Sequence, residues 1–213
     1  MSNLSKRTLT SLPLFIILYL SIMHSYILSC TLFLTVFIAF YEFNNILLKI
    51  FKYNKLKHFI LIFVILIYLI FFSLSIFFYL NLEIYNNKII FIYLLSISIS
   101  TDIGGYLFGK IFKGKKLTKI SPNKTYSGMI GSLLLSVLIS FIFFRDLNLP
   151  FNYLTITILL SIISQIGDLI ISFLKRKAKI KDTGTFLPGH GGLLDRADGI
   201  LLTLPIGLII VNI

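Results

Sequence analysis

Long apolar runs separated by short polar stretches dominate the chain. They fall at about 10–23, 25–41, 56–80, 89–109, 128–144, 150–174 and 199–212. A helix crossing a bilayer needs about 20 apolar residues. Strict apolar/polar alternation, the mark of a membrane barrel, is absent. Lipid tolerates only backbones that satisfy their own hydrogen bonds, so these runs read as helices. The stretch from Ser11 to Phe40 is too long for one span and short for two. It reads as a tight hairpin turning near His24. The pattern predicts an all-α, polytopic transmembrane bundle of about seven spans, the first and last of them short. Residues 1–213 form a single integral membrane domain on this reading.

Composition strengthens the membrane reading. The chain is 57% hydrophobic and only 13% charged, with a mean hydropathy of +0.94. Soluble domains carry about a quarter charged residues. Charge then sets orientation. With a cytoplasmic N-terminus and the His24 hairpin, the 20 Lys and Arg residues all lie inside except Lys88 and Arg145. That is the asymmetry that membrane insertion follows. Met1–Arg7 followed by Leu12–Ile22 resembles a signal peptide, but no Ala-x-Ala site follows, so it reads as a retained first span. Cys30 has no partner cysteine and reads as a small lipid-facing or core residue. The net charge of +12 suits anionic lipid headgroups and nucleotides. Nucleic acid is not an expected partner.

The polar loops that remain long are 110–127 and 175–199, both on the cytoplasmic side. Loops on a rigid scaffold carry function, so the chemistry is expected there. Asp102 and Asp168 lie in or at the ends of spans, where an ionised carboxylate is costly and marks a site by default. The alternative is an ion pair with a neighbouring Lys. Asp168, Ser172 and Lys175 share one helical stripe. Further on, Asp195 and Asp198 stand three apart beside His190, Gly191, Gly192 and Arg196. Such acids fit a hard cation held together with phosphate; the alternative is a solvated helix start. Glycine amides there, and the start of the last helix, are candidates for phosphate oxygens. His190 reads as a general base, a phosphate donor or a loop hydrogen-bond partner. In the basic loop, Gly109-Lys110 and Gly114-Lys115 do not make a P-loop. Ser121-Pro122-Asn123-Lys124-Thr125 reads as a turn bearing hydroxyls and a cation.

These residues match a family. Ser172-Phe173-Leu174-Lys175-Arg176, then Lys181-Asp182-Thr183-Gly184, then Leu187 through Asp198 closely resemble the signature of phosphatidate cytidylyltransferases (CDP-diacylglycerol synthases). Asp102, Tyr106, Gly109, Lys110, Gly114, Lys115, Ser121-Pro122, Lys124-Thr125 and Gly128 resemble an upstream cytoplasmic motif of the family. Glu42 resembles a Glu found early in it. There are departures: Ser127 and Ile171 stand where the family usually has Glu, Ala197 where it has a larger apolar residue, and the chain is shorter.

The resemblance implies transfer of a cytidylyl group from CTP to phosphatidate, giving CDP-diacylglycerol and diphosphate. It also implies Mg²⁺ or another divalent cation, and a homodimer among membrane lipids, in a bacterial inner membrane. The catalytic set expected is Asp168, Lys175, Arg176, His190, Asp195, Arg196 and Asp198, with Asp168, Asp195 and Asp198 as metal ligands. Asp102, Lys110, Ser121, Lys124, Thr125, Ser172, Lys181, Asp182, Gly191 and Gly192 are expected to bind substrate. A CDP-alcohol phosphotransferase is rejected, because no Asp or Glu follows Asp198-Gly199 in the sequence, where that spacing needs further acids. The remaining alternatives are an impaired member of the family, or a non-enzymatic lipid-binding or transport protein.

Overall fold

The computed structural model describes residues 3–82, 85–118, 121, 124–147, 152–186 and 191–211. The described residues form seven helices: α1 (Asn3–Met23), α2 (Ser25–Ile50), α3 (Lys55–Asn81), α4 (Tyr85–Phe112), α5 (Tyr126–Leu147), α6 (Asn152–Lys177) and α7 (Leu194–Val211). No strand lies among the described residues. Among the described residues five stretches are long and apolar enough to cross a membrane: Ser25–Ile50, Lys55–Asn81, Asn86–Phe112, Tyr126–Phe143 and Asn152–Lys177, with a shorter apolar helix at Ser11–Met23. The apolar part of α7 begins at Gly199.

The hairpin expected near His24 is present. His24 alone leaves the helical conformation, at φ −128 and ψ 118. Ser21 and Thr31 then meet, hydroxyl to hydroxyl, at 3.0 Å. In a continuous helix ten residues would separate them by about 15 Å. Cys30 is exposed, as one of its two expected settings required.

The chain divides into two compact units, Met1–Ile84 with Leu174–Ala197, and Tyr85–Phe173 with Asp198–Ile213. In the first, α1 packs on α2 and α2 on α3. Asn54 caps α3 by accepting a hydrogen bond from the Lys57 amide at 3.0 Å, as Asn does at a helix start. Asn44 and His58 join α2 to α3 at 2.9 Å. The segment after α6 is pinned to α2 by Phe186, whose ring meets Tyr41 edge to face at 6.0 Å. Phe33, Phe37, Phe59 and Phe63 stay exposed, as lipid-facing side chains do.

In the second unit α4 and α5 approach through small residues. A Cβ on Gly104 would lie 2.5 Å from the Gly131 carbonyl oxygen, and one on Gly128 would lie 2.7 Å from that of Gly105. Helices in lipid gain from such close backbone contact, because no hydrophobic force drives them together. Hydroxyls join α4 to α6: Tyr93 to Thr157 at 2.5 Å, Thr101 to Ser161 at 2.9 Å and Ser98 to Ser164 at 3.1 Å. Each such bond contributes about 0.6 kcal/mol in a membrane. Ser98 and Ser164 also crowd Gly199 of α7. This packing fixes the helix ends that carry the acids.

Candidate functional site

The first unit holds the Asp195 centre. α6 ends on Lys175-Arg176-Lys177, a basic last turn that suits the helix dipole. The chain then loops back and starts α7 with Asp195 in its first turn. Lys175 Nζ donates to Asp195 Oδ1 at 2.7 Å. Asp195 Oδ2 accepts from the Thr183 amide at 2.8 Å, the Thr183 hydroxyl at 3.0 Å and the Gly192 amide at 3.0 Å. The Asp195 side chain is only 9% exposed. Burial would raise its carboxyl, but the Lys175 hydrogen bond and the Thr183 and Gly192 amides outweigh that and hold it below the usual carboxylate range. Gly191 takes φ +88, and a Cβ there would sit 2.9 Å from Asp195 Oδ2. Glycine alone is at ease in that conformation and that space.

The second unit holds the Asp168 centre. Lys124 Nζ pairs with Asp168 Oδ2 at 2.5 Å, and Ser172 Oγ lies 3.4 Å from Asp168 Oδ1. Asp198 shares a side-chain hydrogen bond with Asp168. Burial, then the charges of Asp168 and Asp102, push the Asp198 carboxyl up to about 8. The Gly199 amide donates to Asp198 Oδ1 at 3.0 Å. Gly167 makes room for this turn, since its Cβ would lie 2.5 Å from the Asp198 carbonyl oxygen. Two hydrogen-bonded carboxyl groups with the charge of a third, Asp102, close enough to be felt form a locally acidic setting.

A divalent cation was expected on Asp168, Asp195 and Asp198. Among the described residues no three Asp, Glu, His or Cys side chains converge as a ready metal shell. Mg²⁺ needs less: one or two carboxylates, with waters and substrate phosphates completing it. Asp168 and Asp198 fit that demand. Asp195 has both oxygens engaged, and a cation would reach it only by displacing Lys175. The ion-pair alternative raised from the sequence for Asp168 thus describes it as it stands here, and Asp195, whose alternative was a solvated helix start, is ion-paired as well.

The basic loop is braced from within. Lys116 and Thr125 bridge antiparallel, with the Leu117 amide donating to the Lys124 carbonyl at 2.7 Å. Thr125 Oγ1 caps α5 through the Gly128 amide at 3.1 Å. Ser127, at the position where Glu is usual, donates to the Lys113 carbonyl at 3.2 Å and meets Thr125 Oγ1 at 3.0 Å. Here Thr125 acts as a brace. Ser121 accepts the Lys124 amide through its carbonyl at 3.0 Å and so helps to shape the same turn. Lys110 is exposed and lies over the Tyr106 ring, 5.6 Å from its centroid. Asp102, Arg176, Lys181, Asp182 and Arg196 are all exposed. His190 lies outside the described residues.

One site residue had no role assigned from the sequence. Glu42, on α2, is 1% exposed. Its carboxylate accepts from the Thr183 hydroxyl at 2.7 Å, the Leu193 amide at 2.8 Å and the Leu194 amide at 2.9 Å. The amides expected to bind phosphate at the start of α7 are therefore engaged by protein carboxylates. Glu42 carried two signals, the cost of an acid within an apolar run and its resemblance to a Glu found early in the family; Thr183 lay in the family signature, but nothing local named Glu42 as its partner.

The sequence profile described as the Cytidylyltransferase family matches residues 1–213. Over 129 residues the chain is 43% identical to a phosphatidate cytidylyltransferase of Bacillus subtilis, covering 59% of this chain and 48% of that protein. It is 47% identical over 110 residues to one from Staphylococcus haemolyticus, covering 50% and 42%. Against one from Staphylococcus aureus the figures are 46% over 110 residues, covering 50% and 42%. The matched stretch thus spans about half the length of these curated relatives. The match over the whole chain, and the two acidic centres on the motifs that suggested it, lead to one conclusion: this chain belongs to the cytidylyltransferase family.

Proposed function

We propose that the protein transfers a cytidylyl group from CTP to phosphatidate, giving CDP-diacylglycerol and diphosphate. The observation that carries this reading is the hydrogen-bonded Asp168–Asp198 pair with Lys124 on Asp168, on family motifs at helix ends. In the reaction a phosphate oxygen of phosphatidate attacks the α-phosphorus of CTP. The bond between the α-phosphorus and the bridging oxygen breaks, and diphosphate leaves with that bond's electrons. Such a transfer needs alignment and charge neutralisation more than covalent catalysis. Lys124 faces Asp168 and is placed to trade that partner for a phosphate oxygen. Arg176, Lys181 and Arg196, exposed near the turn into α7, offer further cations. Asp168 and Asp198 would hold the divalent cation. Bound there, it would neutralise triphosphate charge and polarise the α-phosphoryl group.

The charge asymmetry supports a cytoplasmic N-terminus, about seven spans and loops 110–127 and 175–199 facing the cytoplasm, in a bacterial inner membrane. A homodimer follows from the family resemblance alone. Purified protein in detergent, given labelled CTP, phosphatidate and Mg²⁺, is expected to yield a lipid-soluble labelled product and diphosphate. Absence of product overturns the reading. Equal use of ATP would leave phosphoryl chemistry standing and remove the cytidylyl assignment.

A further inference from the structure

We infer that Glu42 is a positioning residue, which sets the start of α7 and, through the Thr183 hydroxyl, the Asp195 carboxylate. The inference rests on the reaction proposed above for its kinetic part and on geometry for the rest. Glu42 lies eight residues before the end of α2, about 12 Å of helix rise from it. A carboxylate buried that far within an apolar helix is expensive unless every lone pair that matters is met. Here the partners are a hydroxyl and two backbone amides, at 2.7, 2.8 and 2.9 Å. The two amides belong to Leu193 and Leu194, where α7 begins. Glu42 therefore occupies the anion position of that helix, with the helix dipole in its favour.

The room for this contact is written into the loop. A Cβ on Gly184 would lie 2.6 Å from Glu42 Oε1, and one on Gly192 would lie 2.6 Å from both Glu42 oxygens. Both are contacts that no ordinary side chain makes. The link onward is Thr183. Its Oγ1 lies 2.7 Å from Glu42 Oε2 and 3.0 Å from Asp195 Oδ2. A hydroxyl has one proton to donate, so it serves one carboxylate at a time, and the position of each acid depends on the other. Tyr41, next to Glu42, holds the same loop through Phe186. α2 thus holds this loop at two adjacent residues and reaches Asp195 through Thr183.

Three variants test this, in detergent-purified full-length protein: E42Q, T183V and T183S. Gln keeps the size of Glu but presents one amide donor to a site that already holds three donors. T183S keeps the hydroxyl and T183V removes it. E42Q and T183V are expected to lower kcat by about 10- to 100-fold, with KM for CTP changed less than about twofold. T183S should stay within about threefold of wild type, as a variant that retains the hydrogen bond. Backbone hydrogen exchange over residues 191–197 should rise in E42Q while the α3 segment is unaffected. If E42Q does not fold, the two Thr183 variants decide. The inference is overturned if E42Q and T183V lower Tm but leave kcat per folded molecule as in wild type. It is also overturned if T183S is as impaired as T183V. A wild-type protein without turnover overturns the proposed reaction instead. Exchange then decides the positioning role, and unchanged exchange over 191–197 in E42Q ends it.

Discussion

Asp195 and Asp198 stand three residues apart in one signature, yet they are held in different ways. Asp195 has a lysine, two amides and a hydroxyl on its two oxygens, and its carboxyl is held below the usual range. Asp198 is buried among acids and is pushed up to about 8. The first arrangement is already balanced and holds the Asp195 carboxylate, with Lys175 and the start of α7, in one fixed position. The second carries a surplus of acid that only a proton, or a cation arriving with substrate, would balance. Proteins keep such imbalance where charge must be received during a reaction. The difference teaches that membership of a motif does not assign a role; the charge balance around each acid does.

The largest expected effect lies in activity. Asp168→Asn and Asp198→Asn should each lower kcat by about 10²–10³. The double variant should lose little more, because residues acting as a unit are not additive. Initial rates of lipid product at matched folded protein check this, and independent, multiplying losses would break the idea of a coupled pair. Stability should move the other way from the pattern at Asp195. D198N replaces a carboxyl that is neutral below about pH 8 and should hold its Tm at pH 6.

Lys175→Met should cost about 3 kcal/mol, since it leaves a buried carboxylate without its cation. Thermal unfolding in detergent should show this as a clear loss of Tm. An unchanged Tm would mean that the amides and Thr183 suffice, and that the Asp195 centre is less dependent on Lys175 than its geometry says.

The pH dependence separates the two centres further. Asp198 is raised from 3.8 to about 8, so between those values the folded protein holds a proton that the unfolded chain has lost. Stability from this group therefore falls as pH rises through that window, by at most about 1.4 kcal/mol per pH unit, and levels off above it. Asp195 is lowered, so its contribution is present above the ordinary carboxylate pKa and disappears only as pH falls through its own lower value. In chelator, Tm should drop from pH 5 to pH 8 in wild type and less steeply in D198N. Equal slopes would contradict the burial of Asp198 among acids.

The smallest effect is expected at Lys124. Its side chain and that of Asp168 are 23% and 26% exposed, so Lys124→Met should cost about 1 kcal/mol or less while still lowering turnover. A stability loss as large as that of Lys175→Met would erase the contrast between the two centres.

Much of the fold was legible because lipid sets simple rules. The apolar runs became the seven helices, and charge placed the break at His24. Asp102 and Asp168 stood out because a carboxylate in or at the end of a span is costly, and Asp195 because it stands three residues from Asp198 beside His190, two glycines and Arg196. Partner choice was not legible. Helical spacing put Asp168, Ser172 and Lys175 on one stripe, and Ser172 does approach Asp168, but Lys175 is taken by Asp195, 20 residues on. That choice is tertiary, as is the pairing of Lys124 with Asp168. Ser127, read as a departure from the family, uses its hydroxyl to brace the basic loop. The three bonds of Glu42 span 141, 151 and 152 residues, beyond the reach of any local pattern.

Those long spans bear on how the chain is made. Synthesis runs from the N-terminus at about 5–20 residues per second. α2 therefore emerges roughly 7 to 27 seconds before Thr183 exists. Through that interval Glu42 lacks all three of the donors it ends with, in a segment bound for lipid. A nascent chain interrupted before residue 183 carries the acid without any of them. An early helix thus waits for its polar partners on residues made more than a hundred positions later.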